Sequence, residues 1–235
     1  MDSTLACVRR VPLLIALALT LAAPGCGDDD DGNGNGGGGG GSAAIRDAVA
    51  KTEAAKTARM TFTVSVSGGA SERFTGEVLI DFEHDRNHLT MELQGQTVEL
   101  FADGDDEYFR VGSSGRYRAM PASEQTPVAN NPTDSLQYVG TDVVDVTEGE
   151  PGCYEGMLDF DRVFERVEEG RESEFPDELR GYEAPVLVCV DGAGRISRYD
   201  VELSLQGTTV TTSTRLSDHG RVEPLDPLGP AELPR

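Results

Sequence analysis

The sequence predicts an α+β fold in which an antiparallel β-sheet carries a few helices on its one apolar face. Apolar residues recur at every second position through most of the chain, short polar turns separate these segments, and only a few stretches show helical spacing. Strands joined by short turns pair antiparallel, and the alternation leaves one face apolar. That face needs a cover, which the helical stretches supply.

The N-terminus has the pattern of a bacterial export signal. Arg9 and Arg10 precede an apolar run over 11–23, which is shorter than the roughly 20 residues that cross a bilayer as a helix. We expect residues 1–25 to be removed after export by the Sec route, because the residues after the arginine pair fit a twin-arginine signal only loosely. The small residues before Cys26 resemble the cleavage box of bacterial lipoproteins, which implies that Cys26 is diacylated.

The segment after Cys26 is predicted to be a disordered tether. Residues 26–42 contain four consecutive aspartates and a run of glycines and asparagines, and such a segment cannot bury apolar surface. Two acyl chains give stable membrane anchoring. The sequence therefore predicts a lipid-anchored protein on the extracytoplasmic face of the cell membrane, with a folded domain over 43–223 held away from the surface.

The charge of the chain limits its electrostatic partners. It carries 20 Lys and Arg against 42 Asp and Glu, which gives a formal net charge of −22. This excess disfavours nucleic acids and bare anionic lipid surfaces. Hydrophobic residues make up 37% of the chain and Trp is absent, which suits a sheet-rich exported domain and excludes a multi-span membrane protein. We expect a monomer.

The first half of the domain is predicted to be a helix followed by a meander of strands. Strong helix formers and an apolar stripe predict a helix over 43–57, with Ser42 as its N-cap. The alternating segments that follow place on one face Phe62, Val64, Val66, Phe74, Gly76, Val78, Ile80, Phe82, Leu89, Met91, Leu93, Val98 and Leu100. Residues 108–111 and 116–119 predict a further hairpin.

The second half is predicted to contain two short helices and five strands. A short helix is predicted over 133–139, after a polar loop over 121–132, and another contains Val163, Phe164 and Val167. The remaining strands are predicted over 142–147, 153–160, 185–190, 197–205 and 208–216. Residues 224–235 contain four prolines and predict an extended, poorly ordered tail.

Two cysteines remain once the signal and the anchor are set aside. In an exported domain, an isolated pair such as Cys153 and Cys189 predicts one disulfide. Each cysteine points away from the apolar residues of its own strand. If the two strands pair, both sulfur atoms lie on one face and can meet. Two free buried thiols are the alternative.

No motif in the chain predicts catalysis. His84 and His88 lie near Asp85 and look like a metal-binding pair, but they flank a turn and no third ligand is evident. His219, beside Asp218, has no nucleophile as a partner. A serine-centred elbow, a phosphate loop and a Cys-x-x-Cys motif are all absent. We predict a protein that is not an enzyme, with no catalytic residue, metal site or cofactor.

Four short phrases resemble the actinobacterial LppX/LprG-type lipoproteins, as does the order of the elements. The phrases are Ala-Ala-Lys-Thr-Ala-Arg at 54–59, Tyr-Glu-Gly-Met-Leu-Asp at 154–159, the run that starts Val-Cys-Val-Asp-Gly at 188–199, and Leu-Ser-Asp-His-Gly at 216–220. This resemblance covers nearly the whole mature domain. It implies the half-barrel of the LolA/LolB lipoprotein carriers, which is a curved antiparallel sheet with helices on its concave side. Some relatives hold acyl chains between the sheet and the helices.

The apolar face and the resemblance together predict a membrane-anchored carrier that binds an apolar ligand, lipid or acyl chains, without covalent chemistry. The candidate ligand-binding residues are Phe62, Val64, Val66, Val78, Ile80, Phe82, Leu89, Met91, Leu93, Val98 and Leu100. The alternative is a cell-envelope protein-interaction or sensor module with a solid core and no ligand. The two differ in their interior, since a carrier needs roughly several hundred Å³ of apolar void.

Overall fold

The computed structural model describes residues 39–68, 71–93, 95–104, 106–112, 115–120, 132–168, 179–229 and 232–233. The predicted signal segment 1–25, the anchor Cys26 and the tether up to residue 38 lie outside the described residues. The polar loop over 121–131 lies outside them too.

The described residues contain three helices, α1 (Gly39–Glu53), α2 (Pro132–Thr141) and α3 (Phe160–Glu168). None of them has the length and apolar composition to cross a membrane. Helix α1 ends before the predicted residue 57, because Lys56 has a φ of +69° and Thr57 already pairs with Asp81 in the sheet. Ser42 lies inside α1 and is not its N-cap, so that prediction was wrong.

The strands of the described chain form one sheet of eleven, in the spatial order β6-β5-β4-β3-β2-β1-β11-β10-β9-β8-β7. Their bounds are β1 Thr57–Ser67, β2 Glu72–Asp81, β3 Arg86–Leu93, β4 Gln96–Asp103, β5 Asp106–Val111, β6 Arg118–Ala119, β7 Val143–Glu148, β8 Cys153–Asp159, β9 Glu183–Val190, β10 Ile196–Leu205 and β11 Thr208–Ser217. Every neighbouring pair is antiparallel. The sheet is curved and open, which confirms the predicted α+β half-barrel class.

Two meanders make up this sheet, and one long-range pairing joins them. Strands β1–β6 form the first meander and β7–β11 the second, and β1 pairs with β11 over residues that include Met60↔Leu216 and Val64↔Thr212. The first and last strands of the domain therefore lie together at its centre. Strands β6 and β7 form the two edges.

The register places the apolar residues of both meanders on one side, which we call the inner face. Across the first meander, Met60, Val78 and Leu89 lie in one row, since each is paired with the next. In the second meander, Val188 pairs with Tyr199 on the same side. The three helices contribute buried apolar residues to the core over this face, and they include Ile45, Ala48, Leu136, Tyr138, Val163 and Phe164.

The edge strand β7 is bent by a bulge between Val144 and Thr147, where Asp145 has a φ of +51°. The bend needs a glycine at position 156 of β8, because a Cβ there would lie 2.7 Å from Val143 Cγ1 and 2.8 Å from the carbonyl oxygen of Val144. The bend turns Val146 inward against the start of α1. A bulge also limits pairing of an exposed edge with another strand.

The predicted disulfide is confirmed. Cys153 and Cys189 are direct partners in the register of β8 and β9, with Cα atoms 4.0 Å apart and their sulfur atoms bonded. Both side chains lie on the side of the sheet opposite to the core, which we call the outer face. The bond therefore joins two neighbouring strands of the second meander on its polar side.

Candidate functional site

The structure brings all eleven predicted ligand-binding residues to the inner face or against its core. Seven of them are buried, namely Phe62, Val64, Val66, Val78, Ile80, Leu89 and Met91. The other four are only partly buried and pack against that core, namely Phe82, Leu93, Val98 and Leu100. The predicted set is thus a closed apolar core that continues into a more open surface.

The open part of the inner face lies on β3, β4 and β5. Met91 pairs with Val98, and Val98 pairs with Val111, which is 51% exposed. Leu93 follows on β3 and Leu100 on β4, both of them partly buried. We call Leu93, Val98, Leu100 and Val111 the open strip. The main helix contacts with the sheet fall instead on β2, β7 and β10.

A glycine shapes the closed part of the inner face. Phe62 on β1 is the register partner of Gly76 on β2, and a Cβ at position 76 would lie 2.4 Å from the ring atom Cζ of Phe62. The same Cβ would lie 3.0 Å from the carbonyl oxygen of Thr90, so the backbone of β3 leaves no space for it on the other side. The ring of Phe62 therefore occupies the space that a side chain at position 76 would need.

Sequence reasoning missed the part of the inner face that the second meander supplies. Tyr199, Val201 and Leu203 on β10, with Val210 and Leu216 on β11, are buried in the same core. Their strands were predicted, and the same alternation marks these residues in the sequence. This alternation would have added the five residues to the candidate set if the pairing of β1 with β11 had been known.

A hydroxyl group fixes helix α1 over this face. Thr52 is fully buried, and its Oγ1 donates a hydrogen bond to the carbonyl oxygen of Ala48 at 2.7 Å. The same Oγ1 accepts a hydrogen bond from the backbone N–H of Ile196, the first residue of β10, at 2.8 Å. The bond satisfies a buried backbone donor and sets the distance between the helix and the sheet.

The outer face of the first meander carries a buried carboxylate, Glu99, whose side chain is 11% exposed. Its Oε2 accepts hydrogen bonds from Tyr117 at 2.8 Å and Arg110 at 2.5 Å, and Nε2 of His88 lies 3.0 Å away. The guanidinium of Arg110 also stacks on the ring of Tyr117, 4.4 Å from its centre.

These contacts determine the charge state of Glu99. Burial alone raises the pKa of this carboxyl group, but the hydrogen bonds from Arg110, Tyr117 and His88 outweigh burial and hold the pKa below its ordinary value of 4.5. Burial and the neighbouring carboxylate raise the pKa of Tyr117. A carboxylate held ionised by several donors is a poor proton acceptor, so the cluster stabilises β3–β5 and is unsuited to acid–base catalysis.

The three histidines lie in separate environments. Nδ1 of His84 is 2.9 Å from Oδ2 of Asp81, whereas His88 belongs to the Glu99 cluster. His219 contacts the carbonyl oxygen of Ile196 at 3.1 Å, and burial, with Arg195 nearby, lowers its pKa. Within the described ranges, no three His, Cys, Asp or Glu side chains are arranged to hold a metal ion.

No protein-family model matches the chain. No curated protein matches it either. Among solved structures, the crystal structure of LprF from Mycobacterium bovis is similar at 13% identity, covering 80% of this chain and 97% of that one, with a TM-score of 0.48. A LolA superfamily protein from Nitrosomonas europaea aligns at 11% identity over 74% and 91% of the two chains, with a TM-score of 0.31.

The contact between Phe62 and position 76 predicts a specific coupling. Gly76→Ala should lower the free energy of unfolding by about 1–3 kcal/mol, because the added methyl group displaces the ring. The loss should be smaller in a Phe62→Leu background, which urea denaturation of the four variants measures. Gly40→Ala, where nothing lies within 4 Å of the new methyl group, is the control that should cost nothing. Purely additive effects of the two substitutions would contradict the prediction.

The lowered pKa of Glu99 predicts a pH dependence of stability. A carboxyl group with a depressed folded-state pKa stabilises the fold above its unfolded value of 4.5, and this contribution is lost as the pH falls through the folded value. Glu99→Gln should lower stability at pH 7 by about 2 kcal/mol and flatten the decline below about pH 5. Glu92→Gln, on the same face but exposed, should leave the profile unchanged. Thermal unfolding from pH 7 to pH 3 tests this, and identical profiles for both variants would contradict it.

Proposed function

We propose that the protein is a membrane-anchored, extracytoplasmic carrier that binds the acyl chains of a lipid on its inner face without covalent chemistry. The observation that carries the proposal is the open strip, where the apolar core continues to a partly exposed surface at Leu93, Val98 and Leu100. Removing apolar surface from water stabilises a complex by about 0.8 kcal/mol for each CH₂ group that is buried. Acyl chains supply such groups in a row.

The chemistry of the open strip supports binding without reaction. Its four residues are all aliphatic, and none of them can donate, accept or transfer a proton at neutral pH. The strip also lies beside residues that are already packed, since Leu89 and Met91 are buried on the same strand as Leu93. A ligand chain on the strip therefore extends an existing core.

The position of α1 agrees with an anchor at the N-terminus. The helix begins at Gly39 and packs on β7, one edge of the sheet, whereas the open strip lies on the strands near the other edge. A membrane anchor at Cys26 would then join the domain on the side away from the ligand. The strip remains accessible to a lipid while the protein is held at the surface.

The anchor has a direct test. Wild-type protein expressed in a lipoprotein-processing host should fractionate with membranes, and its intact mass should show the added acyl groups. Cys26→Ser should show no added acyl groups in its intact mass, because the proposed attachment sulfur is gone. Cys7→Ser, which changes a cysteine inside the predicted signal, is the control and should behave as wild type. A soluble, unmodified wild-type protein would rule the anchor out.

The ligand is tested by native mass spectrometry of the full chain carrying Cys26→Ser. We expect near one lipid per protein, and organic extraction should release it. Replacing Leu93 and Val98 together by Gln should reduce occupancy about tenfold, since polar groups in the strip oppose acyl chains. The control is Leu79→Gln, at a partly buried leucine of β2 on the outer face, which should keep the lipid.

Two results would contradict the carrier. Protein that stays empty after incubation with envelope lipids would leave the protein-interaction or sensor module as the better function. Equal lipid occupancy in the strip variant and in the Leu79 control would show that the ligand lies elsewhere.

A further inference from the structure

The outer face of the second meander contains an open concavity of about 550 Å³ that the carrier function does not use. It crosses β7 to β11 on the side opposite to the core. Its floor includes three apolar side chains, Met157 on β8 with Pro185 and Leu187 on β9. Met157 pairs with Pro185, and Leu187 is the next outward residue on β9, so the three form one continuous patch.

The apolar floor adjoins polar outer-face residues on the central strands. The outer-face residues of the central strands nearby are polar, as Thr63 and Ser213 illustrate with their direct pairing between β1 and β11. The disulfide between Cys153 and Cys189 lies beside the floor and joins the two strands that form it. The floor is therefore a fixed feature of two cross-linked strands.

Carboxylates surround the floor, and three of them have no partner within the described residues. Asp145 lies in the bulge of β7, Glu155 on β8 and Glu202 on β10, and none of the three has a hydrogen bond or ion pair within the described part of the chain. Asp200, in the same concavity, differs because Arg198 and the hydroxyl of Ser213 already bind it. The rim thus presents three negative charges that the described part of the fold does not neutralise.

We propose that this concavity docks a basic, amphipathic segment of a partner protein, with an apolar side chain on the floor and Lys or Arg side chains against Asp145, Glu155 and Glu202. Charge complementarity selects this occupant, because a second copy of this chain would bring a further net charge of −22 to a negative rim. The volume suits a few side chains and lies within the usual range of binding clefts.

The site is independent of the inner face. Ligand on the open strip and a partner on the outer face contact opposite sides of the sheet, so both can be bound at once. The docking site also stands without the carrier function, because it requires no lipid. If the protein proved to bind no lipid, the proposal of a docking site on the outer face would be unaffected.

The experiment uses the full chain carrying Cys26→Ser and two blocked, fluorescent pentapeptides, Lys-Leu-Lys-Leu-Lys and Glu-Leu-Glu-Leu-Glu. Fluorescence anisotropy at low salt should show binding of the basic peptide alone, weakening as salt is added. Combining Asp145→Asn, Glu155→Gln and Glu202→Gln should weaken binding about tenfold. Asn tolerates the positive φ at position 145, so this set leaves the bulge intact.

Two matched controls separate local docking from general attraction to an acidic protein. Combining Glu165→Gln, Glu223→Gln and Asp226→Asn changes the net charge equally at exposed acids away from the concavity, and should alter binding less than twofold. Leu187→Ser should also weaken binding several-fold, whereas Leu79→Ser, at a partly buried outer-face leucine of the first meander, should not. Far-ultraviolet circular dichroism verifies that each variant is folded.

Three results would overturn the proposal. Failure of the chain that carries Cys26→Ser alone to bind the basic peptide at about 1 mM would rule out the docking site. If the three substitutions in the concavity and the three substitutions away from it weakened peptide binding equally, the peptide would be attracted only by the overall negative charge of the protein. Unchanged binding by Leu187→Ser would show that the floor takes no part.

Discussion

The antiparallel pairing of β1 with β11 is the constraint on which the rest of the structure depends. It joins residues from opposite ends of the domain, such as Met60 with Leu216, and makes one sheet from two meanders. Closing so long a loop has an entropic cost, which the apolar residues that the pairing brings together must offset. Without it, neither meander has a complete inner face for the helices to cover.

The alternation of side chains gives the two faces of this sheet different chemistry. Inward residues form one apolar core, whereas the outer face carries two groups of charged residues. In the first meander, Glu99 is neutralised by Arg110 and its other donors, so this region adds stability. In the second, Asp145, Glu155 and Glu202 are left without partners in the described chain around an apolar floor, and this region is the proposed docking site.

The inner face changes from closed to open along the sheet because its cover is uneven. Helix α1 is fixed to β10 by the hydroxyl of Thr52, and the main helix contacts fall on β2, β7 and β10. Strands β3–β5 lie beyond these contacts and keep Leu93 and Val98 only partly buried. A ligand that adds apolar surface there continues the core without disturbing the packed region around Phe62 and Gly76.

The sequence by itself determined the strand segments, the apolar face of the first meander and the disulfide, because period-two alternation and cysteine parity are local properties. Residues such as Phe62, Val78 and Leu89 were assigned to one face on that basis, and the register confirms it. The boundary of α1 was wrong because Lys56 enters a left-handed turn that propensity does not reveal.

Only the tertiary structure decided the order of the strands, the division of the inner face into closed and open parts, the Glu99 cluster and the outer-face concavity. Each of these depends on which distant residues meet. Val98 and Leu89 have the same pattern in the sequence, yet one is partly exposed and the other buried, because Leu89 lies beside the buried Val78 whereas Val98 lies beside the exposed Val111. Partners separated by a long stretch of chain leave no periodic signal, and so the fold alone places them together.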